Sequence, residues 1–159
     1  MNNKIIPCVG FDKVKFGMTR DQVIAALGNP NEIEEDQNYG DTPDELTTVF
    51  YYDEIGVSLS FDKEEKYRLT EMSFEDERYS LCDTIKVGMM KDAAIAAAEK
   101  AGLGEAYEDD LSDDLQEGEM LESYTFEDKN VSLWFEANVL VTIQIGPDWI
   151  DDDTIKWPK

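Results

Sequence analysis

The chain has 159 residues, of which 42% are hydrophobic and 11% aromatic, enough for one globular core of ordinary size or two small ones. Its formal net charge of −23 at pH 7 disfavours binding to nucleic-acid phosphates and to anionic membranes, and favours a basic partner. No apolar run is long enough to span a bilayer, and the first residues lack the hydrophobic stretch of a signal peptide. We therefore expect a cytoplasmic protein, or an exported one if a signal has been removed.

The first predicted element is a short helix within "VKFGMTRDQVIAALGNP", residues 14–30. Thr19 is a candidate N-cap, and Gln22 three residues later completes a capping box. Gly28 and Pro30 follow at the positions that end a helix. The apolar side chains of the helix form one stripe, Val23, Ile24 and Leu27.

An acidic segment follows this helix, and we interpret it as a loop. Three strand-like segments come next, at roughly 47–53, 56–62 and 67–75. Alternation is clear in the middle segment, where Val57, Leu59 and Phe61 share one face. Short turns between the segments predict an antiparallel meander.

A second stretch, residues 85–102, resembles the first helix region. Gly17 and Gly88 lie 71 positions apart, and the match continues along the helix. Further on, "VSLSF" at 57–61 aligns with "VSLWF" at 131–135, at an offset of 74. Two matched blocks in the same order indicate a tandem duplication of a unit of about 70 residues.

The second unit repeats the order of elements with some changes. Met90 stands in place of Thr19, so the side-chain cap is lost, and Gly102 is at the stopping position. Its three predicted strands lie at roughly 122–128, 130–136 and 139–146.

These patterns predict an α+β fold of two tandem repeats, at residues 1–80 and at 81–159 with a C-terminal extension. Each repeat has a short helix (or helix pair) and an antiparallel sheet of three to four strands, with the helices on one face. The two repeats are expected to form one compact pseudo-symmetric unit.

Alternation also predicts which side chains point away from the helices, and these are our candidate partner-binding residues. Most are small and polar, with two large aromatic residues among them: Tyr51, Ser58, Ser60, Ser132, Trp134, Thr142 and Gln144. Thr70 is expected on the same face. An exposed tryptophan is a residue type that anchors protein interfaces. The alternative is that the C-terminal segment, with Trp149 and Trp157, covers Trp134.

Catalytic and metal-binding motifs are lacking. The chain has no histidine, and Cys8 and Cys82 have no neighbouring cysteine partner. The nine acids of residues 105–122 do not follow the calcium-loop pattern, so we expect an exposed, mobile loop that binds calcium weakly if at all. We expect no enzyme activity, no cofactor and no metal site.

The stretch "FGMTRDQVIAALGNP" resembles the G-M-T-x-x-x-V-x-x-x-L-G-x-P helix motif of SmpA/BamE-like domains, which continue into strands resembling "VSLSF". The tandem arrangement is similar to that of the beta-lactamase inhibitory proteins, in which two such units set their sheets side by side and grip a partner on a concave face. The resemblance covers most of residues 14–75, and the second copy matches more weakly. It implies protein binding and gives no catalytic residues to carry over.

We therefore expect a non-catalytic protein-binding or inhibitory module that acts through its sheet face, such as an immunity protein that neutralises a basic toxin. Two alternatives stay open. One is an acidic nucleic-acid mimic, and the other is a small-ligand-binding protein of unknown ligand.

Overall fold

The structure is a computed structural model that describes residues 2–37, 46–62, 65–110, 121–151 and 154–158. Within these ranges the fold is α+β, with two α-helices, three sheets and a short 3₁₀ turn at Glu127–Lys129. The elements, in chain order, are β1 (Lys4–Ile6), β2 (Gly10–Phe11), β3 (Val14–Lys15), α1 (Arg20–Leu27), β4 (Glu32–Gln37), β5 (Leu46–Tyr52), β6 (Val57–Asp62), β7 (Arg68–Phe74), β8 (Ser80–Leu81), α2 (Lys91–Lys100), β9 (Ala106–Asp110), β10 (Leu121–Phe126), β11 (Val131–Glu136), β12 (Val139–Ile145), β13 (Asp148–Trp149) and β14 (Ile155–Lys156).

The central element is an eight-stranded antiparallel sheet with the order β4-β5-β6-β7-β12-β11-β10-β9. The six predicted strands are confirmed as β5, β6, β7, β10, β11 and β12, and their ends differ from the predicted ones by at most two residues. They form because apolar residues alternate along each strand and one face is buried.

The prediction of acidic loops before each meander was wrong at two places. Residues 32–37 and 106–110 form the edge strands β4 and β9, although Glu and Asp are disfavoured in strands. Each edge pairs along its length with a neighbour that belongs to the meander, and that pairing overrides the local propensity. The rest of the predicted loop, residues 111–120, lies outside the described residues.

The two helices differ at their N-termini as the sequence predicts. In α1, the Thr19 hydroxyl accepts a hydrogen bond from the Gln22 N–H at 3.2 Å, and the Gln22 side chain accepts one from the Thr19 N–H at 2.9 Å. Met90 caps α2 without a side-chain hydrogen bond. After α2, Gly102 has a φ of +78° and ends the helix as expected.

Backbone hydrogen bonds tie the residues before each helix to one strand of the sheet. The Gly17 N–H donates to the Leu69 carbonyl at 3.0 Å, and the Leu69 N–H donates to Met18 at 2.9 Å. At Leu140 of β12, Gly88 and Met89 make the same two bonds at 2.7 and 2.8 Å.

In addition, β1, β2, β3 and β8 form a small four-stranded sheet, which the sequence patterns did not predict.

One continuous core lies on a single side of the eight-stranded sheet. It contains the side chains of Leu59 and Phe61 in β6 and of Leu133 and Phe135 in β11, all fully buried. Val23 of α1, with Ala94 and Ala98 of α2, belongs to the same core, so both helices pack there. Neither helix of the described ranges is long and apolar enough to cross a membrane.

Candidate protein-binding face

The sheet surface opposite this core carries the predicted partner-binding residues, and we call it the open face. We define it by those seven residues together with Glu71 and Ser73. Side chains that lie directly opposite each other in an antiparallel pair share a face, so the strand register places them. One row of directly paired residues crosses all eight strands, from β4 to β9: Glu32, Tyr51, Ser58, Ser73, Gln144, Ser132, Thr125 and Tyr107.

The remaining predicted residues lie in two further rows, one on each side of the long row. Ser60 pairs with Glu71 in one half of the sheet. Trp134 pairs with Thr142 in the other half. The register therefore brings all seven predicted residues to one face, in the long row and in the two rows that flank it.

Contacts of Gln144 join the three rows at the centre of the open face. The Trp134 indole N–H donates to Gln144 Oε1 at 2.8 Å, which fixes the orientation of a half-buried ring. The Gln144 amide in turn interacts with the Glu71 carboxyl. Burial raises the pKa of the Glu71 carboxyl, the negative charge of Asp62 raises it further, and the interaction with Gln144 lowers it.

Asp62, at the end of β6, is held rigidly beside Glu71. It accepts hydrogen bonds from the Thr47 hydroxyl at 3.0 Å and from the Thr70 hydroxyl at 3.1 Å. Thr70 also donates to the Ser60 carbonyl at 3.4 Å, beside the register shift of β6 and β7. Neither Asp62 nor Glu71 forms a salt bridge with any Lys or Arg in the described part of the chain. The centre of the open face thus holds two neighbouring carboxylates without a salt bridge to any described Lys or Arg, although Arg68 pairs with Asp62 across the strands.

Tyr51 is the second residue of the long row, beside Glu32, and Tyr107 is the last. The Tyr51 hydroxyl donates to Glu34 Oε2 of the edge strand at 2.7 Å. Tyr51 and Ser58 also line a cleft of about 160 Å³ together with Glu75. At the opposite edge, Tyr107 is 67% exposed. All residues of the row between these two tyrosines are polar.

The C-terminal tryptophans lie apart from Trp134. Trp157 packs against Gly17, beside the start of β7, and the Arg68 guanidinium lies 5.5 Å from its ring centroid. Trp149 pairs with Ile155 in a separate two-stranded sheet and is 45% exposed.

The sequence patterns did not single out Glu71, Ser73 and Tyr107. Ser73 alternates with Met72 and Phe74, so the period-two pattern could have found it. A bulge hides Glu71, because Ser60 pairs with Glu71 whereas Phe61 pairs with Leu69. Tyr107 belongs to a segment that we interpreted as a loop.

The described residues offer little for metal or redox chemistry. No group of three or more His, Cys, Asp or Glu side chains in these ranges could hold a metal ion. Cys8 and Cys82 are free thiols, and burial raises the pKa of each. The Cys8 thiol donates to the Lys129 carbonyl at 3.3 Å. A raised thiol pKa disfavours the reactive thiolate.

The comparisons with known proteins give one family. No curated protein and no solved structure is significantly similar to the chain. The family model described as "Domain of unknown function (DUF7738)" matches residues 9–89. Because this match covers just over half of the chain, the protein belongs to the DUF7738 family.

Proposed function

We propose that the protein is a non-catalytic binding module whose open face takes a basic protein. The observation that carries this proposal is the chain from Trp134 through Gln144 to Glu71. It links the fixed Trp134 ring, through Gln144, to a carboxylate that forms no salt bridge with any described Lys or Arg, among the serines and threonines of the open face. Aromatic residues and their hydrogen-bonded neighbours at the centre of a surface are typical of interface hot spots.

The size of the open face is suitable for a standard interface. Eight strands with a spacing of about 4.8 Å, each about 20 Å long, give an area on the order of 700 Å². A specific interface needs about 800 Å² per partner, so the face and its rim suffice. Ser58, Ser60, Ser73 and Ser132 have small side chains, so a partner can approach the sheet closely across the open face.

The negative charge of the chain supports the proposal of a basic partner. The net charge of −23 would steer such a protein towards the chain. At the surface, a Lys or Arg side chain of the partner would neutralise Glu71 and Asp62. Glu71 would gain most, because its ionised form is disfavoured by burial and by Asp62 in the free protein. A toxin that an immunity protein neutralises fits this description.

We further propose that the chain is a tandem duplication of a SmpA/BamE-like unit. The hydrogen bonds of Gly17 and Met18 to Leu69, and of Gly88 and Met89 to Leu140, support this, because every corresponding residue lies 71 positions apart. Both meanders also have a register shift at the same place, between Ser60 and Phe61 and between Trp134 and Phe135. The duplication gives one wide face where a single unit would give a narrow one.

Affinity capture with matched variants tests the binding proposal. The wild-type chain is used as bait beside Trp134→Ala and Glu71→Gln, with Trp149→Ala and Glu99→Gln as controls. Trp149 is exposed outside the eight-stranded sheet, and Glu99 is exposed on α2. We expect a basic protein that the wild type and both controls retain and that both open-face variants lose.

Two results would contradict the proposal. One is retention of the same proteins by the open-face variants and the wild type. The other is capture that depends on Glu99 as much as on Glu71, because this would indicate attraction by net charge alone.

A further inference from the structure

A cavity lies on the core side of the sheet, at the N-terminus of α1, away from the open face. Its volume is about 480 Å³, within the range of small-molecule sites. It is lined by Thr19, Arg20, Asp21, Ile24, Ile33, Glu35, Thr48, Phe50, Lys66 and Tyr67. The lining thus combines two cations, two carboxylates and an apolar wall.

Thr48 of β5 is the unexplained group of this cavity. It is 1% exposed, and its Oγ1 is buried without a hydrogen-bond partner among the described residues. A buried hydroxyl without a partner costs free energy, so native structures usually satisfy it. A bound polar group in the cavity would supply the partner.

In the other half of the sheet, Glu122 occupies the position that corresponds to Thr48. Thr48 pairs with Phe61, and Glu122 pairs in the same way with Phe135. Arg20 and Lys91 are each the first residue of a helix. In the second half, Lys91 Nζ lies 2.8 Å from Glu122 Oε2. At this position the second half therefore has a carboxylate, whereas the first half has a threonine, with Glu35 of β4 as its cross-strand neighbour.

We propose that the cavity binds an external carboxylate. This carboxylate would contact Arg20 beside Thr48, as the carboxylate of Glu122 contacts Lys91 in the other half of the sheet. The Arg20 guanidinium lies 4.3 Å from the Tyr67 ring centroid, which holds it at the cavity. The ligand carboxylate would accept hydrogen bonds from Arg20 and from the Thr48 hydroxyl, with Lys66 near by.

The rest of the lining specifies the class of carboxylate. Ile24, Ile33 and Phe50 provide an apolar wall, and Ile33 is 54% exposed in the free protein. An aliphatic or aromatic body would cover this surface. Asp21 and Glu35 also line the cavity and would repel a second negative charge. The ligand is therefore a small monocarboxylate with an apolar body.

The test is a titration with hexanoate that is followed by the amide resonances of the ¹⁵N-labelled chain. We expect hexanoate to shift the amides of residues 19–22 and 48, and hexan-1-ol at equal concentration to leave them unchanged. Butanoate should bind more weakly, because each buried methylene contributes about fourfold in affinity.

Two variants locate the site. Thr48→Glu would supply the carboxylate from the chain, so it should abolish hexanoate binding. Arg20→Gln should weaken binding about tenfold or more, and Arg20 is only half-buried, so folding should be retained. Lys91→Gln, the matched change in the other half, should leave the hexanoate affinity unchanged.

The proposal is overturned if hexanoate and hexan-1-ol shift the same amides to the same extent. It is also overturned if Arg20→Gln binds hexanoate as tightly as the wild type. Binding that Lys91→Gln weakens as much as Arg20→Gln would show that hexanoate responds to total charge and not to this cavity.

Discussion

Lys91 at the start of α2 and Glu122 at the start of β10 form an ion pair of 2.8 Å across 31 positions of sequence. The Lys91 ammonium also lies 5.3 Å from the Tyr124 ring centroid. The hydrogen bond to Glu122 raises the pKa of Lys91 above its ordinary value. The pair therefore attaches the N-terminus of α2 to the core side of the sheet.

Removing one member of this pair should destabilise the protein. Lys91→Gln leaves the buried Glu122 carboxylate without its cation, and we expect a loss of about 2 kcal/mol in the free energy of unfolding. The matched change at the exposed Lys4–Asp83 pair, Lys4→Gln, should have no measurable effect. Urea denaturation measures both variants, and equal losses would show that the Lys91–Glu122 pair is not a structural anchor.

The two helix N-caps should respond in opposite directions. Thr19→Ala removes the hydroxyl that accepts from the Gln22 N–H and should cost about 1 kcal/mol. Met90→Ser supplies a hydroxyl where no side chain caps α2, and should add about 0.5 to 1 kcal/mol. Thermal melts followed by circular dichroism measure the change. A lower melting temperature for Met90→Ser would mean that the exposed Met90 side chain has contacts worth more than a cap.

Alanine substitutions at Gly17 and Gly88 test how the C-terminal segment packs. Both have positive φ, +93° and +99°, so alanine strains the backbone at either position. At Gly17 a Cβ would also stand 2.9 Å from the Trp157 ring, whereas at Gly88 no atom of the described residues lies within 4 Å. Gly17→Ala should therefore destabilise the chain more than Gly88→Ala.

A double substitution separates the two effects at Gly17. Trp157→Ala should remove the difference between Gly17→Ala and Gly88→Ala, because only the backbone strain then remains. If the difference persists in the Trp157→Ala background, Trp157 does not pack against Gly17 in solution. Urea denaturation of the four variants and the wild type measures each step.

Glu71→Gln should raise stability at neutral pH. The pKa of Glu71 is raised in the folded protein, chiefly by burial, so the folded state holds its proton to higher pH than the unfolded state does. Stability therefore falls as the pH rises through this window, from the ordinary carboxyl value to the raised one. Glu71→Gln does not lose stability in this way. Below the ordinary carboxyl pKa, the variant and the wild type should therefore have similar free energies of unfolding.

Stability curves of both proteins between pH 4 and pH 7 measure the effect. Glu71→Gln should be more stable than the wild type at pH 7 while binding the partner less well, so the two effects have opposite signs. A variant that is less stable at every pH would show that Glu71 is favourably ionised in the free protein.

The meanders could be predicted from the sequence because their strands bury one face. Val57, Leu59 and Phe61 alternate with polar residues, so period and register agree. The edge strands β4 and β9 could not be predicted in this way. Both are rich in Glu and Asp, and they form because of the strands beside them.

The candidate site could likewise be predicted only in part. Alternation places Ser58, Ser132 and Trp134 on one face, and the structure agrees. It could not reveal that Gln144 links Trp134 to Glu71, because the register of β7 against β12 joins strands that are about 70 residues apart. Pairing over such a separation depends on the whole sheet and has no local signal.

The cavity at α1 depends on a comparison that only the structure allows. Thr48 and Glu122 occupy corresponding positions because both pair with a phenylalanine beside a register shift. In the sequence they are an ordinary strand threonine and one of many acids.

The dissociation constant of the purified partner for Trp134→Ala tests the binding face most directly, with Trp149→Ala as the control. We predict that Trp134→Ala weakens binding by about 2 kcal/mol or more, which is about thirtyfold, and leaves the melting temperature unchanged. Trp149→Ala should bind like the wild type. The account is contradicted if Trp134→Ala lowers the melting temperature and retains the wild-type dissociation constant, because Trp134 would then stabilise the sheet and not bind a partner.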